Sequence, residues 1–348
     1  VFTTPALPDD LAILSRPTTY VTCQVASASD RTHEVEFYFD AGGELSTDVL
    51  DQEVTGSSVT LANATALKMG TISQDVLGRS GDDLRIDWGY LYLSAANCFK
   101  PSVAWGDANA LREAFGDSGS QALAGQAPQF PVQAGSLVAA VGMSMGEIGN
   151  RPVSRYVLVA YDDLYSIEYM KQKLRPYWRK DGWEADDLIV AAIREYETLE
   201  QRCEQFDTEL MADLERSGGR EYAEIAALAY RQCFAAGKFV ADANGQPLQF
   251  CKENHSNGCI ATSDVFYPMA PQFLLFGPTL TKSMLVPFMD YAASERWKFP
   301  FAPHDLGTYP LANGQRYGGG EQSEENQMPV EECGNLLALF GALAKMEG

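Results

Sequence analysis

The chain has 348 residues, 46% of them hydrophobic, which is enough to bury substantial cores; at the usual ~100–200 residues per domain it makes about two domains. Lys and Arg total 26 against 47 Asp and Glu, and the net charge of -21 repels a phosphate backbone, arguing against nucleic-acid binding. No run reaches the ~18–20 uninterrupted apolar residues of a membrane-spanning helix, and no charged-then-apolar leader opens the chain at Val1.

From Thr19 to Asp162, short β-branched or alternating runs lie between turn signals, at 20–25, 33–39, 84–93 and 155–161. Strands at this spacing, without intervening helices, predict a β-sandwich over residues 1–162. The segment 117–133, rich in Gly, Ala, Gln and Pro, reads as a loop. Gly142-Met143-Ser144-Met145-Gly146 matches a nucleophile pattern that requires strand, sharp turn and helix in succession. Here the strand 137–141 is followed by Gly149-Asn150-Arg151-Pro152 and another strand, so a hairpin is expected rather than a nucleophile.

After Asp162 the period changes. Residues 164–179 are amphipathic, and from Glu184 apolar residues fall at Ile189, Ile193, Tyr196, Leu199, Cys203, Phe206, Leu210 and Leu214, one stripe of a long helix. Ser217-Gly218-Gly219 ends it, and a second helix from Arg220 to about Phe239 makes an antiparallel hairpin. Further helices are expected at 281–296 and 330–346, with polar loops before and between them. Residues 163–348 therefore read as helical hairpins carrying long loops. Val1 to Thr4 has strand character without a start signal, and the last helix keeps an apolar face seeking partners. Both read as part of a longer polypeptide, whose remaining segment would be a partner.

The seven cysteines include no C-x-x-C pair and no Cys/His spacing suited to zinc, so no metal site is expected. Cys251 and Cys259 flank a loop that a disulfide could close in an oxidising compartment; buried free thiols are the alternative. An odd count leaves at least one cysteine free or paired elsewhere. His33 sits on an alternating strand and reads as structural. His255 lies in the polar loop 252–258, which suits either function or turn capping. Asn63-Ala64-Thr65 and Asn254-His255-Ser256 are glycosylation sequons.

The densest polar signal lies at His304-Asp305-Leu306-Gly307-Thr308-Tyr309-Pro310-Leu311-Ala312-Asn313-Gly314-Gln315 and at Met328-Pro329-Val330-Glu331-Glu332-Cys333-Gly334-Asn335. A connecting loop needs polar residues, but not this concentration of His, acids, Asn and Tyr among Gly and Pro. Two carboxyl groups, one protonated and one ionised, can protonate a leaving group while activating water. Adjacent helical residues point about 100° apart, so only one of Glu331 and Glu332 should face a given pocket.

These segments, with Lys252-Glu253-Asn254, Ser256-Asn257-Gly258-Cys259-Ile260 and Asp264 with Tyr267-Pro268, resemble the secreted fungal and bacterial glutaminase A family. Pro8-Asp9-Asp10-Leu11, Ser15-Arg16-Pro17 and Arg85-Ile86-Asp87-Trp88-Gly89-Tyr90-Leu91 are similar to the same family's β-domain. The resemblance covers nearly the whole chain. It implies an N-terminal β-sandwich followed by helical hairpins of an (α/α)6 toroid, incomplete in this chain, and an exported amidohydrolase converting L-glutamine to L-glutamate and ammonia without a cofactor. Asp305, Glu331 and Glu332 are then the acid/base candidates; Lys252, Asn254, Asp264, His304, Tyr309, Asn313 and Asn335 are the substrate-binding candidates. No Ser or Cys has an obvious base, so direct attack by water is favoured, with Cys333 the exception to check. A glycoside hydrolase is the alternative, because the toroid with paired carboxylates suits that chemistry too and Trp297, Tyr309 and Tyr317 could stack on sugars.

Overall fold

In the computed structural model, which describes residues 1–253 and 255–348, the N-terminal region is built on two antiparallel sheets packed face to face. The larger runs in the order Phe2–Thr3, Thr18–Val25, Val153–Asp162, Tyr90–Ala96, Ala64–Thr71, Glu53–Thr60, Val132–Gln133. The smaller places Val138–Ile148 between His33–Gly42 and Ser102–Gly106. The strand Tyr90–Ala96 shows why the sequence there is apolar throughout. Leu91, Leu93 and Ala95 enter the core between the sheets, while Tyr92 and Ala96 face the other way into a second core.

Seven α-helices occur among the described residues, the first two within the β region: α1 (Leu11–Leu14), α2 (Ala108–Ser118), α3 (Ala185–Gly218), α4 (Arg220–Ala235), α5 (Ser263–Phe276), α6 (Pro278–Ala292) and α7 (Pro329–Glu347). The apolar stripe of α3 covers the outer face of the larger sheet through Ala185, Ile189, Ala192, Ile193, Tyr196 and Leu199. Tyrosine hydroxyls stitch the two together: Tyr20 donates to the Ala192 carbonyl at 2.8 Å and Tyr156 to that of Ile193 at 3.2 Å. Between α3 and α4, Gly219 takes φ +82°, a backbone that suits glycine. The helices α5, α6 and α7 share a core built from Phe266, Phe273, Met284, Phe288, Leu336 and Leu339.

The structure departs from the sequence reading in several places. Residues 84–89 are not strand; Asp87 is buried there and satisfied by the side chains of Arg79 and Gln52 rather than by a ladder. A helix does interrupt the β region, because α2 packs Leu111 against Leu123 on the outer face of the smaller sheet. Residues 164–179 form the hairpin Ile167–Tyr169/Gln172–Leu174, turning at Met170 and Lys171 with φ of 47° and 68°, and not an amphipathic helix. Its extra strand is Leu311–Ala312, which pairs in parallel with Ile167–Tyr169 and which local periodicity does not reveal. α4 ends at Ala235, and Gly237–Ala241 pairs with Pro247–Cys251. α5 forms despite Pro268 and Pro271 because Phe266, Met269, Ala270 and Phe273 bury one face. Ser144 is exposed in mid-strand, and the turn after Ile148 crosses between sheets instead of closing a hairpin. All seven cysteines are free thiols, Cys251 and Cys259 both buried.

Arg179 joins the end of the sheet to the start of α3. It is buried against the buried Asp162 carboxylate, bonds Glu184 and donates to the Trp183 carbonyl at 3.0 Å. Arg179→Ala should leave Asp162 charged and unpaired and cost about 3–5 kcal/mol. A denaturant titration of the full-length protein should show the loss, and an unchanged midpoint would refute this account.

Candidate active site

The site is assembled by backbone pairing between 258–263 and 304–309. Ser263 N donates to His304 O at 3.1 Å, Leu306 N to Ile260 O at 2.9 Å, Ile260 N to Gly307 O at 3.0 Å and Tyr309 N to Gly258 O at 2.9 Å. This ladder sets His304 and Asp305 against the first turn of α5. The β-domain closes one side: Gly81 N donates to Tyr309 O at 3.0 Å, and Gly258 approaches Asp82 so closely that a Cβ there would lie 2.7 Å from its backbone.

Asp305 is fully buried and fully engaged. Its Oδ1 accepts from Gly307 N at 2.8 Å and Arg316 N at 3.0 Å; its Oδ2 accepts from Tyr317 N at 3.1 Å and lies 3.1 Å from His304 Nδ1. That contact orients the ring, with Nδ1 toward Asp305 and Nε2 toward the space on the other edge. His304 is further held by Gln315 Oε1, which accepts from its backbone N–H at 2.7 Å, and by Tyr317, stacked on the ring at 4.1 Å.

Nε2 faces two further carboxyl groups, Asp264 Oδ2 at 3.9 Å and Glu332 Oε1 at 4.0 Å. Asp264 sits in the first turn of α5 and Glu332 in the first turn of α7. Glu332 is wholly buried, and neither of its oxygens has a hydrogen-bond partner among the described residues. Asp264 Oδ1 and Glu253 Oε2 are likewise buried without one. Among the described residues no Lys or Arg forms an ion pair with Glu253, Asp264, Glu331 or Glu332. Burial, reinforced by Asp264, Glu331 and Asp305, pushes the Glu332 carboxyl up to about 9. Asp264 is also raised, by burial first, with His304 acting in the opposite direction and Glu253 and Glu331 adding to the rise. Glu332 therefore holds a proton at neutral pH.

Of the other residues singled out from the sequence, Glu331 lies on the exposed side of α7. Asn335 is partly buried one turn along from Glu332. Lys252 Nζ donates to Asp82 Oδ1 at 3.1 Å and Glu253 O at 3.2 Å. Tyr309, pushed up to about 12 chiefly by burial, borders a cavity of about 610 Å³ with Lys238, Lys252, Val265 and Met269. Asn313 is used elsewhere, its Oδ1 accepting from Lys171 N at 2.7 Å and its Nδ2 donating to Glu168 at 2.6 Å. Asn254 lies outside the described residues. Glu253, Cys259, Gln315 and Tyr317 were not assigned to the site from the sequence as amide-site groups, although all except Tyr317 fall inside the quoted motifs.

Cys259 Sγ, His304 and Asp305 offer atoms within 4.8 Å of one another, outwardly a nucleophilic triad. The thiol is held protonated by burial and by Asp305, and the Asp305 oxygens are taken, so the arrangement does not make a thiolate. Cys333 Sγ accepts from Ala302 N at 3.3 Å and has no base beside it among the described residues. Asp264, His304 and Glu332 form a second trio within 4.8 Å, able to hold a cation.

Residues 219–348 match the model of the Glutaminase A six helical-hairpin domain, and residues 1–213 match a domain of unknown function (DUF5127). The chain is 26% identical over 358 aligned positions to Glutaminase A of Aspergillus oryzae (strain ATCC 42149 / RIB 40), covering 99% of this chain and 50% of that protein. The chain belongs to the glutaminase A family. It is also 29% identical over 167 residues to a protein named "Probable glutaminase" from Arthroderma benhamiae (strain ATCC MYA-4681 / CBS 112371), covering 48% of this chain and 19% of that protein. The chain thus spans about half the length of the Aspergillus family member. The two domain models meet between residues 213 and 219, at the turn from α3 to α4.

The raised Glu332 carboxyl gives a pH signature. The folded state keeps a proton that the unfolded state releases near its ordinary value of 4.5, so the folded state binds more protons between there and about 9. Stability from this group is complete below 4.5 and is lost as pH rises through about 9. Glu332→Gln should flatten the decline between pH 5 and 9 and be more stable than wild type at the upper end, as measured by melting across pH. An unchanged slope in the variant would rule out Glu332 as its source.

Proposed function

We propose that the protein hydrolyses the side-chain amide of L-glutamine, giving L-glutamate and ammonia. The supporting observation is the pair formed by a buried, protonated Glu332 and the less perturbed Asp264, which converge on His304 Nε2. Asp264 takes a proton from water as the oxygen attacks the carboxamide carbon. Glu332 gives its proton to the amide nitrogen as the C–N bond breaks. Ammonia leaves, takes up the proton of the newly formed carboxyl group and departs as ammonium, while Asp264 returns its proton to Glu332.

In this reading Asp305 changes role from the acid/base assignment expected of it. Its oxygens are committed to backbone N–H groups and to Nδ1, so it positions His304. Lys252 and Tyr309, both bordering the cavity beside α5, are the donors proposed for the substrate α-carboxylate. The exported setting that the family resemblance implies remains part of the proposal. The glycan alternative finds little support, because Trp297 is buried and Tyr317 is stacked on His304.

Ammonia release from L-glutamine by the full-length protein tests the assignment. Glu332→Gln and Asp264→Asn should each lower kcat by about 10²–10⁴. The exposed Glu331→Gln should retain most activity. Full activity in a folded Glu332→Gln variant would sink the mechanism, and a folded wild type inactive on glutamine would sink the substrate.

A further inference from the structure

The His304 segment and the start of α7 are tied together by two glutamine side chains. Gln315 is buried, and both polar atoms of its amide are used. Its Oε1 accepts from His304 N at 2.7 Å, and its Nε2 donates to Tyr317 O at 3.0 Å and to Gln327 Oε1 at 2.6 Å. Gln327 in turn donates through Nε2 to the carbonyls of Gly320 and Ser323, both at 3.0 Å. A backbone N–H at one end and backbone carbonyls at the other leave each amide a single orientation, so the bond between them has one polarity. Gln327 immediately precedes Met328, the N-cap of α7, and Glu332 N donates to Met328 O at 3.1 Å in the first turn. That turn carries Glu332 to 4.0 Å from His304 Nε2. Ala302 N also reaches Cys333 Sγ at 3.3 Å, but sulfur is a weak acceptor. The Gln315 end is itself anchored: its backbone N–H donates to the Tyr291 hydroxyl at 2.9 Å, which donates to Glu321 Oε1 at 2.8 Å.

We propose that Gln315 is a positioning residue for the reaction, forming with Gln327 a two-amide strap that sets the separation of Glu332 from His304. Its effect on turnover rests on the amide-hydrolysis reading; the strap itself is a matter of contacts alone. The Glu332 carboxyl has no hydrogen bond among the described residues, so its place is set by the helix that carries it. Misplacing a reacting group by about 1 Å can cost on the order of 10²-fold in rate. Neither glutamine borders the cavity beside α5, so the loss falls on the chemical step and spares substrate binding. Burial is the largest cause of the raised Glu332 carboxyl, with Asp264, Glu331 and Asp305 adding to it. An α7 start that shifts outward therefore also lowers the proton affinity of Glu332.

Glutamine turnover and melting across pH, both on the full-length protein, test the strap in Gln315→Leu, Gln327→Leu and the double variant. Gln327→Leu cuts the strap on the half-exposed loop and leaves the bond from His304 N to Gln315 in place, so it serves even if Gln315→Leu fails to fold. Each single variant should lower kcat about 10–10²-fold with KM changed less than about threefold. The basic limb of the kcat profile should move down by about one pH unit. The double variant should be no worse than Gln315→Leu, because both changes remove the same bond. Gln322→Leu, at an exposed position of the same loop, should keep wild-type kcat. Unchanged kcat in Gln327→Leu, a loss confined to KM, or additive losses in the double variant would overturn the proposal and leave the amide reading standing. A folded wild type inactive on glutamine removes that reading instead, and melting then decides the strap. Gln327→Leu should flatten the fall in Tm between pH 5 and 9 in the wild-type background and not in Glu332→Gln. An equal loss of Tm at every pH would mark the bond as merely structural and overturn the proposal.

Discussion

Asp305 is wholly buried, and the surrounding chain supplies the hydrogen bonds its carboxyl group needs. Three backbone N–H groups, those of Gly307, Arg316 and Tyr317, converge on its two oxygens together with His304 Nδ1. That convergence bends the 304–317 segment back on itself, fixes which imidazole nitrogen is free, and brings Tyr317 over the ring. The geometry of the candidate site is a by-product of satisfying one buried carboxyl group, and this is why the motif sets His304 beside Asp305 with Gly307 two residues further on. An amide-bearing Asn at 305 could accept the same backbone donors on one side only.

The second constraint is the crowding of acids without bases. Asp264 and Glu332 stand at the first turns of α5 and α7, where the helix dipoles favour negative charge by about 0.3–2 kcal/mol. Full burial of a carboxylate costs several kcal/mol more than that. The balance therefore falls on the side of a retained proton at Glu332, while the more accessible Asp264 is perturbed less. Two carboxyl groups with like chemistry are driven apart in proton affinity by their depth below the surface, and that difference is what acid/base chemistry needs.

Much of this was legible in sequence. The switch from alternating strands to a helical period marked the two architectural regions, and the long stripe of α3 was visible in its three- and four-residue spacing. The 100° rule anticipated that one of Glu331 and Glu332 would turn inward, and the structure shows that it is Glu332. What escaped were features whose partners are distant in the chain. The 167–174 hairpin exists because Leu311–Ala312 extends its sheet, and α5 overrides two prolines because its face is buried by α6 and α7. The roles within the motifs were equally hidden. Asn313 and Asp305 look alike as polar residues in a Gly-rich loop, yet one clamps a β-hairpin and the other holds the histidine. Only the hydrogen-bond geometry separates them.

α3 belongs to two bodies at once. One side of the helix seals the outer face of the larger sheet, and its far end opens the first helical hairpin with α4. A sheet with both faces apolar is not a free-standing module, so the β region cannot be lent to another protein at the last strand without exposing Tyr20, Tyr92 and Tyr156. A fragment cut to keep the sheet soluble has to include this helix and end at the glycine turn beyond it, close to where the match of residues 1–213 to a single domain model stops.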